Sequence, residues 1–292
     1  MTDDIEVRGR LVPPVGGFRE VGGRRVFAHR AGSRGPAVVF LPGASAVGLD
    51  YYGVQQGVSE FATAVIYDRG GTGYSDAVEL PRSAEAVAVE LREVLQELGI
   101  AGPYVLAAHS LGGIYAHRFA QLYPEEVAGF VWIDVVHRDW DEFMPVGARL
   151  AETERVGPGI EEMAAMRPAL RAMHAELLAG YPEPVREALM AAKDSVEWMR
   201  SGIAERSCLA GLAAELRAGA EVPDVPMIAL TAVSGVPEQR ELEEGKRRMH
   251  AALVGRATWG EQRILLETEH HRVCFDRADE VVLAVREVIA RA

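Results

Sequence analysis

A serine stands in the stretch Ala107-Ala108-His109-Ser110-Leu111-Gly112-Gly113. An apolar run from Tyr104 to Ala108 leads into it, and a helix-like stretch from Leu111 to Tyr123, stopping before Pro124, leads out. At a sharp strand-to-helix turn the residue at the tip takes a strained backbone and its side chain stands above the sheet. Small residues two before and two after it let the two backbones approach, which is the reason for the pattern G-x-S-x-G. Here Ala108 fills the first small position and Gly112 the second. The helix N-terminus adds amide donors and the positive end of a dipole beside the hydroxyl. Such a serine could also serve as a helix cap. As a nucleophile it needs a base to take its proton, so the chemistry calls for a histidine and a partner acid elsewhere in the chain.

Other motifs carry less. Asp68-Arg69-Gly70-Gly71-Thr72-Gly73 is glycine-rich, but no lysine follows it in the phosphate-loop pattern. Cys208 and Cys274 are far apart and form no C-x-x-C pair, which reads as two reduced thiols. No cluster of His, Cys and carboxylates has metal-ligand spacing, so neither a metal nor an organic cofactor is implied.

The 31 basic and 43 acidic side chains give a formal charge of −12. That balance argues against nucleic acid and anionic membranes as partners, since both select basic surfaces. The opening Met1-Thr2-Asp3-Asp4 is acidic and has no apolar core of a signal peptide. No run is long and apolar enough to span a bilayer. A cytoplasmic protein acting on a small molecule, with no nucleic-acid or membrane partner, is the expectation; oligomeric state is left open.

The serine needs elements to position it, and the pattern supplies them. Phe18–Val21 and Arg24–His29, split by Gly22-Gly23, read as a hairpin. Ala37–Leu41, Thr63–Tyr67, Tyr104–Ala108, Phe130–Ile133, Pro226–Leu230 and Arg263–Leu266 are apolar runs of strand length, suited to strands covered on both faces. Helical patterns fall at Ser83–Leu98, Leu111–Tyr123 and Ala278–Ile289. This alternation predicts an α/β fold with a mostly parallel eight-stranded sheet, helices on both faces and antiparallel strands at one edge. From Arg138 to Glu221 the rhythm fails: the patterns are helical, prolines 158, 168, 182 and 184 punctuate them, and six of the nine methionines lie there. The expected organisation is a core of residues 1–137 and 222–292, with a helical cap over 138–221. Methionines suit both a small helical core and an adaptable apolar wall over a ligand.

Taken together, the chain resembles the α/β-hydrolase fold superfamily, in particular its cap-bearing serine hydrolases. Leu41-Pro42-Gly43-Ala44, Tyr67–Asp76, His109-Ser110-Leu111-Gly112-Gly113 and a late histidine before the last helix carry the resemblance. It implies the chain order serine, acid, histidine. The histidine that matches the family's ending, five residues before the start of Asp276-Arg277-Ala278-Asp279, is His271, with His270 its neighbour. The acid is Asp134, at the end of the strand after the nucleophile helix, or Glu238, one strand later. Backbone amides of Ala44 and Leu111 would form the oxyanion hole, with Pro42 standing where the family often has histidine. The resemblance implies a cofactor-independent hydrolase, cleaving a small to medium apolar ester, lactone or thioester through an acyl-serine. A lyase or transferase of secondary metabolism and a ligand-binding receptor are the alternatives on this scaffold.

Overall fold

The computed structural model describes residues 12–292; the acidic opening Met1–Asp4 lies outside them. The strands are β1 (Gly17–Val21), β2 (Arg24–Ala31), β3 (Ala37–Leu41), β4 (Thr63–Tyr67), β5 (Tyr104–His109), β6 (Val127–Ile133), β7 (Met227–Val233) and β8 (Gly260–Leu266). They form a single sheet in the order β1-β2-β4-β3-β5-β6-β7-β8. The opening hairpin supplies the antiparallel edge, and every pair from β4 to β8 is parallel.

The helices are α1 (Tyr52–Ser59), α2 (Ala84–Glu97), α3 (Gly112–Leu122), α4 (Trp140–Phe143), α5 (Leu150–Val156), α6 (Ile160–Leu177), α7 (Glu183–Lys193), α8 (Val196–Arg206), α9 (Leu209–Arg217), α10 (Arg240–Val254), α11 (Val273–Asp276) and α12 (Ala278–Ile289). Among the described residues, no helix is long and apolar enough to cross a membrane. Side chains of a strand alternate between the two faces of the sheet, and the core divides accordingly. Val39, Leu41, Leu106, Ala108, Phe130 and Trp132 pack with α2, α3, α9 and α10. Val38, Phe40, Val105, Ala107, Val131 and Ile133 pack with α1 and α12 on the other face. Burial on both sides is why these strands read as unbroken apolar runs.

Helices α4 to α9 stand between β6 and β7, the region where the sequence showed helical patterns alone. Pro168 does not end a helix there; it lies inside α6, on an exposed surface where water can take up the carbonyl its missing N–H leaves unpaired. Helix α9 joins the core, with Leu212, Ala213 and Leu216 in the same buried cluster as Phe119 of α3.

The sheet brings the carboxyl ends of β3, β5, β6 and β8 to one edge, where ligands of open α/β sheets bind. The approach of helix to strand there is close at Gly112, where a Cβ would sit 2.1 Å from the Leu41 carbonyl oxygen. Helix α3 can start where it does because that position has no side chain. Gly112→Ala is therefore expected to lower stability by roughly 1–3 kcal/mol through overpacking. Gly211, inside α9 with nothing within 4 Å of its would-be Cβ, makes the control: Gly211→Ala should be neutral or stabilising by up to about 1 kcal/mol. Denaturant midpoints of the two variants check the contrast.

Candidate active site

Ser110 occupies the corner between β5 and α3 with a positive φ of 52°, a conformation that costs a non-glycine residue about 1–3 kcal/mol. The corner is held by its backbone: Ser110 N–H donates to Ile133 O at 3.2 Å, and Ser110 O accepts from Gly113 N and Val136 N at 3.0 Å each. The serine is not the helix cap. Leu111 is in the N-cap position of α3, and no side chain caps it. Ser110 lines a cavity of about 240 Å³, shared with Ala44, His270 and His271 and walled by residues of α6 and α8.

Asp134 follows β6, also at positive φ, 44°, and is 1% exposed. One carboxylate oxygen, Oδ1, accepts from Ala232 N at 3.1 Å. The other, Oδ2, accepts from Lys246 Nζ at 2.7 Å and pairs with His270 Nδ1 at 2.7 Å. Burial opposes ionisation, but the Lys246 ammonium and the His270 hydrogen bond outweigh it and hold this carboxyl well below the usual range.

Of the two adjacent histidines, the structure pairs His270 with Asp134, and the expectation of His271 is corrected on this point. Both lie in a 3₁₀ turn, His270–Arg272, where successive side chains diverge by about 120°. With His270 turned to Asp134, His271 is turned away, and its Nε2 lies 3.3 Å from Glu269 Oε2. Glu238, the alternative acid, is exposed in the 3₁₀ turn after β7 and makes no hydrogen bond to either histidine among the described residues.

His109, next to the serine, has a connecting part. Its Nε2 lies 3.1 Å from the His270 carbonyl, which can only accept, so Nε2 carries the proton. Nδ1 then accepts from the Tyr51 hydroxyl at 2.8 Å, and the Tyr51 oxygen accepts from Gly43 N at 3.2 Å. Burial, reinforced by the His270 ring, pushes His109 down to about 3, so it stays neutral. The Gly43 loop and the His270 turn are thus joined through one imidazole. Arg69, 1% exposed, grips the same loop from beneath. It donates to Pro42 O at 2.5 Å, to Gly43 O at 2.9 Å and to Glu205 of α8 at 2.5 Å. Among the described residues, the backbone N–H groups of Ala44 and Leu111 donate to no protein acceptor.

Sequence reasoning missed Lys246, Tyr51 and the Arg69–Glu205 pair. Lys246 left one signal: it precedes Met249, His250 and Leu253 by three, four and seven residues, which puts a charge on the buried face of α10. Among the described residues, no group of three His, Cys, Asp or Glu side chains could hold a metal ion.

Residues 36–153 match the family model described as alpha/beta hydrolase fold. An uncharacterized protein of Schizosaccharomyces pombe is 36% identical over 89 residues, a match covering 29% of this chain and 17% of that protein. Among solved structures, a putative alpha/beta hydrolase from Nostoc sp PCC 7120 superposes with TM-score 0.73 at 13% identity, covering 95% of this chain and 98% of the other. An epoxide hydrolase from Vigna radiata superposes with TM-score 0.70 at 18% identity, covering 95% and 98%. With the doubly covered sheet and the serine at the β5–α3 corner, these likenesses show that the chain has the α/β-hydrolase fold.

Proposed function

We propose that the protein is a serine hydrolase acting on esters, lactones or thioesters of small to medium size. The observation that carries this reading is the 2.7 Å bond between His270 Nδ1 and Asp134, with Ser110 lining the same cavity. In this reading Nδ1–H is fixed by Asp134, which leaves Nε2 free to accept the serine proton. The Ser110 oxygen adds to the substrate carbonyl, and the negative charge goes to the N–H groups of Ala44 and Leu111. His270 returns its proton to the leaving alcohol or thiol, leaving an acyl-serine. Water, deprotonated by His270, adds to that acyl carbon and regenerates Ser110. Helices α6 to α8 act as the cap. Their Met163, Leu170 and Met173 line the cavity, and thioethers repack around varied acyl chains.

Solved neighbours named as epoxide hydrolases share this fold. With a serine at the β5–α3 corner the reading is acyl transfer through Ser110, not epoxide opening.

A serine-directed fluorophosphonate should label the native protein and not Ser110→Ala; labelling that survives the substitution would remove the nucleophile from the scheme. His270→Gln should lower kcat/KM by roughly 10³-fold or more, and His271→Gln by about tenfold at most. Kinetics on a p-nitrophenyl ester decide the order, and the opposite ranking would restore His271 as the base. Product analysis in ¹⁸O-water separates hydrolysis from a lyase or transferase outcome, and a binding protein would show no turnover.

Asp134→Asn leaves Lys246 buried without its counter-charge, which costs about 3–5 kcal/mol at neutral pH. Because folding depresses the Asp134 pKa, its contribution is complete above the unfolded value of about 3.9 and is lost as pH falls through the folded one. The stability gap between wild type and Asp134→Asn should hold from pH 7 to about pH 5 and narrow below about pH 4, as read by urea unfolding across pH.

A further inference from the structure

The cavity beside Ser110 is unevenly charged. Its carboxylates, and those just behind it, are each matched by a cation: Asp50 by Lys193 at 2.9 Å, Asp134 by Lys246 at 2.7 Å, and Glu205 by Arg69 at 2.5 Å. Arg206, the last residue of α8, also lines the cavity, and no carboxylate lies within ion-pair distance of it among the described residues. Its one hydrogen bond there is from Nη1 to the Ser45 hydroxyl at 2.8 Å. Most of a five-donor guanidinium is left unused. Burial lowers its pKa, which the neighbouring Glu205 charge only partly offsets. This is a partly buried cation with no carboxylate partner, in a protein whose formal charge is −12.

Its position fixes what it would meet. Ser45 follows Ala44, the proposed oxyanion donor, so Arg206 stands at the oxyanion side of the cavity. Other parts of the cavity lining are apolar, with Met163, Leu170 and Phe275 among them. A ligand that satisfies both features has an anionic end joined by methylene groups to the reacting carbonyl. A single uncompensated cation matches a monoanion, and the planar guanidinium fork matches a carboxylate.

We propose that Arg206 is the carboxylate-binding residue of the site and that the substrate is a half ester or half thioester of a dicarboxylic acid. The proposal rests on the hydrolase reading above and narrows its substrate class.

The test compares monoethyl esters of succinic to suberic acid with ethyl esters of monocarboxylic acids of equal length, ethanol release being measured. For at least one chain length, wild type should prefer the half ester in kcat/KM by ~10-fold or more, the range of a charge-assisted hydrogen bond. Arg206→Gln should bring that ratio to about one, Arg206→Lys should retain part of it, and added salt should erode it. A ratio near one in wild type, or an equal ratio in wild type and Arg206→Gln, overturns the proposal and leaves the hydrolase reading standing. Calorimetric titration of Ser110→Ala, with Arg206 intact, by adipate and by adipamide needs no turnover. Binding of adipate ~10-fold tighter than adipamide supports the anion site even if no ester is cleaved and the hydrolase reading fails, and equal binding removes it.

Discussion

Asp134 is 1% exposed, and each bond its carboxylate makes reaches a different element: Ala232 N–H on β7, Lys246 on α10 and His270 in the turn after β8. An ionised carboxylate taken out of water without partners carries a prohibitive cost, so the surrounding chain must deliver those partners together. Lys246 supplies a full countercharge whether or not His270 is protonated. The Asp134–Lys246 pair is therefore electrically balanced by itself. In the proposed reaction the proton arriving on His270 places the carboxylate between two cations. Its pull on the imidazolium is weaker than that of a carboxylate with no lysine. The arrangement trades part of the stabilisation of a transient charge for a fold that tolerates the acid at rest.

The parts of this design that the sequence displayed are those where burial is complete. Strands β3, β4 and β5 appear as apolar runs because both faces are covered by helices. Strand β6 starts at Val127, ahead of the apolar run Phe130–Ile133, and takes in Gly129, a residue type that usually weakens a strand. Here a Cβ would meet a Val288 methyl at 2.4 Å, and the glycine admits α12 to the sheet. Strand β8 starts earlier than its apolar run because it is an edge strand, only partly buried over Glu261–Ile264. The choice between His270 and His271 turned on a 120° step within one 3₁₀ turn, which no spacing in the sequence encodes. Lys246 was hidden for a different reason: α10 is rich in exposed charges, and only its spacing to Met249, His250 and Leu253 sets this one buried ammonium apart.

Loop Pro42–Ser45 shows how the insertion and the core meet at the reacting carbonyl. Ser45 has a positive φ of 63° and is held at three points by α8. Its N–H donates to Glu205 at 2.9 Å, its hydroxyl accepts from Arg206 at 2.8 Å, and its carbonyl accepts from Trp198 Nε1 at 2.6 Å. Gly202 of the same helix has no room for a side chain, since its Cβ would lie 1.8 Å from the Ser45 hydroxyl oxygen. The helix that walls the cavity is therefore packed directly on the loop that ends β3. A change in the position of α8 is transmitted to the backbone at Ala44 through contacts one residue away.

The orientation of the two proposed oxyanion donors then follows from peptide geometry. In a trans peptide the carbonyl and the following N–H point in opposite directions. Arg69 and Ala46 N–H bind the Gly43 carbonyl, so the Ala44 N–H of the same peptide unit is turned away from them, toward the side that lines the cavity. The Ser110 carbonyl is bound by Gly113 and Val136 N–H groups, so the Leu111 N–H is turned away from those in the same manner. Both donors are set by what holds the other end of their peptide unit, and both are left without a protein acceptor among the described residues. A buried N–H without a partner is costly unless a ligand or water completes it. Arg69 and the Ser110 corner thus serve a site from which they are themselves withdrawn: their hydrogen bonds fix the direction of amides that they do not touch.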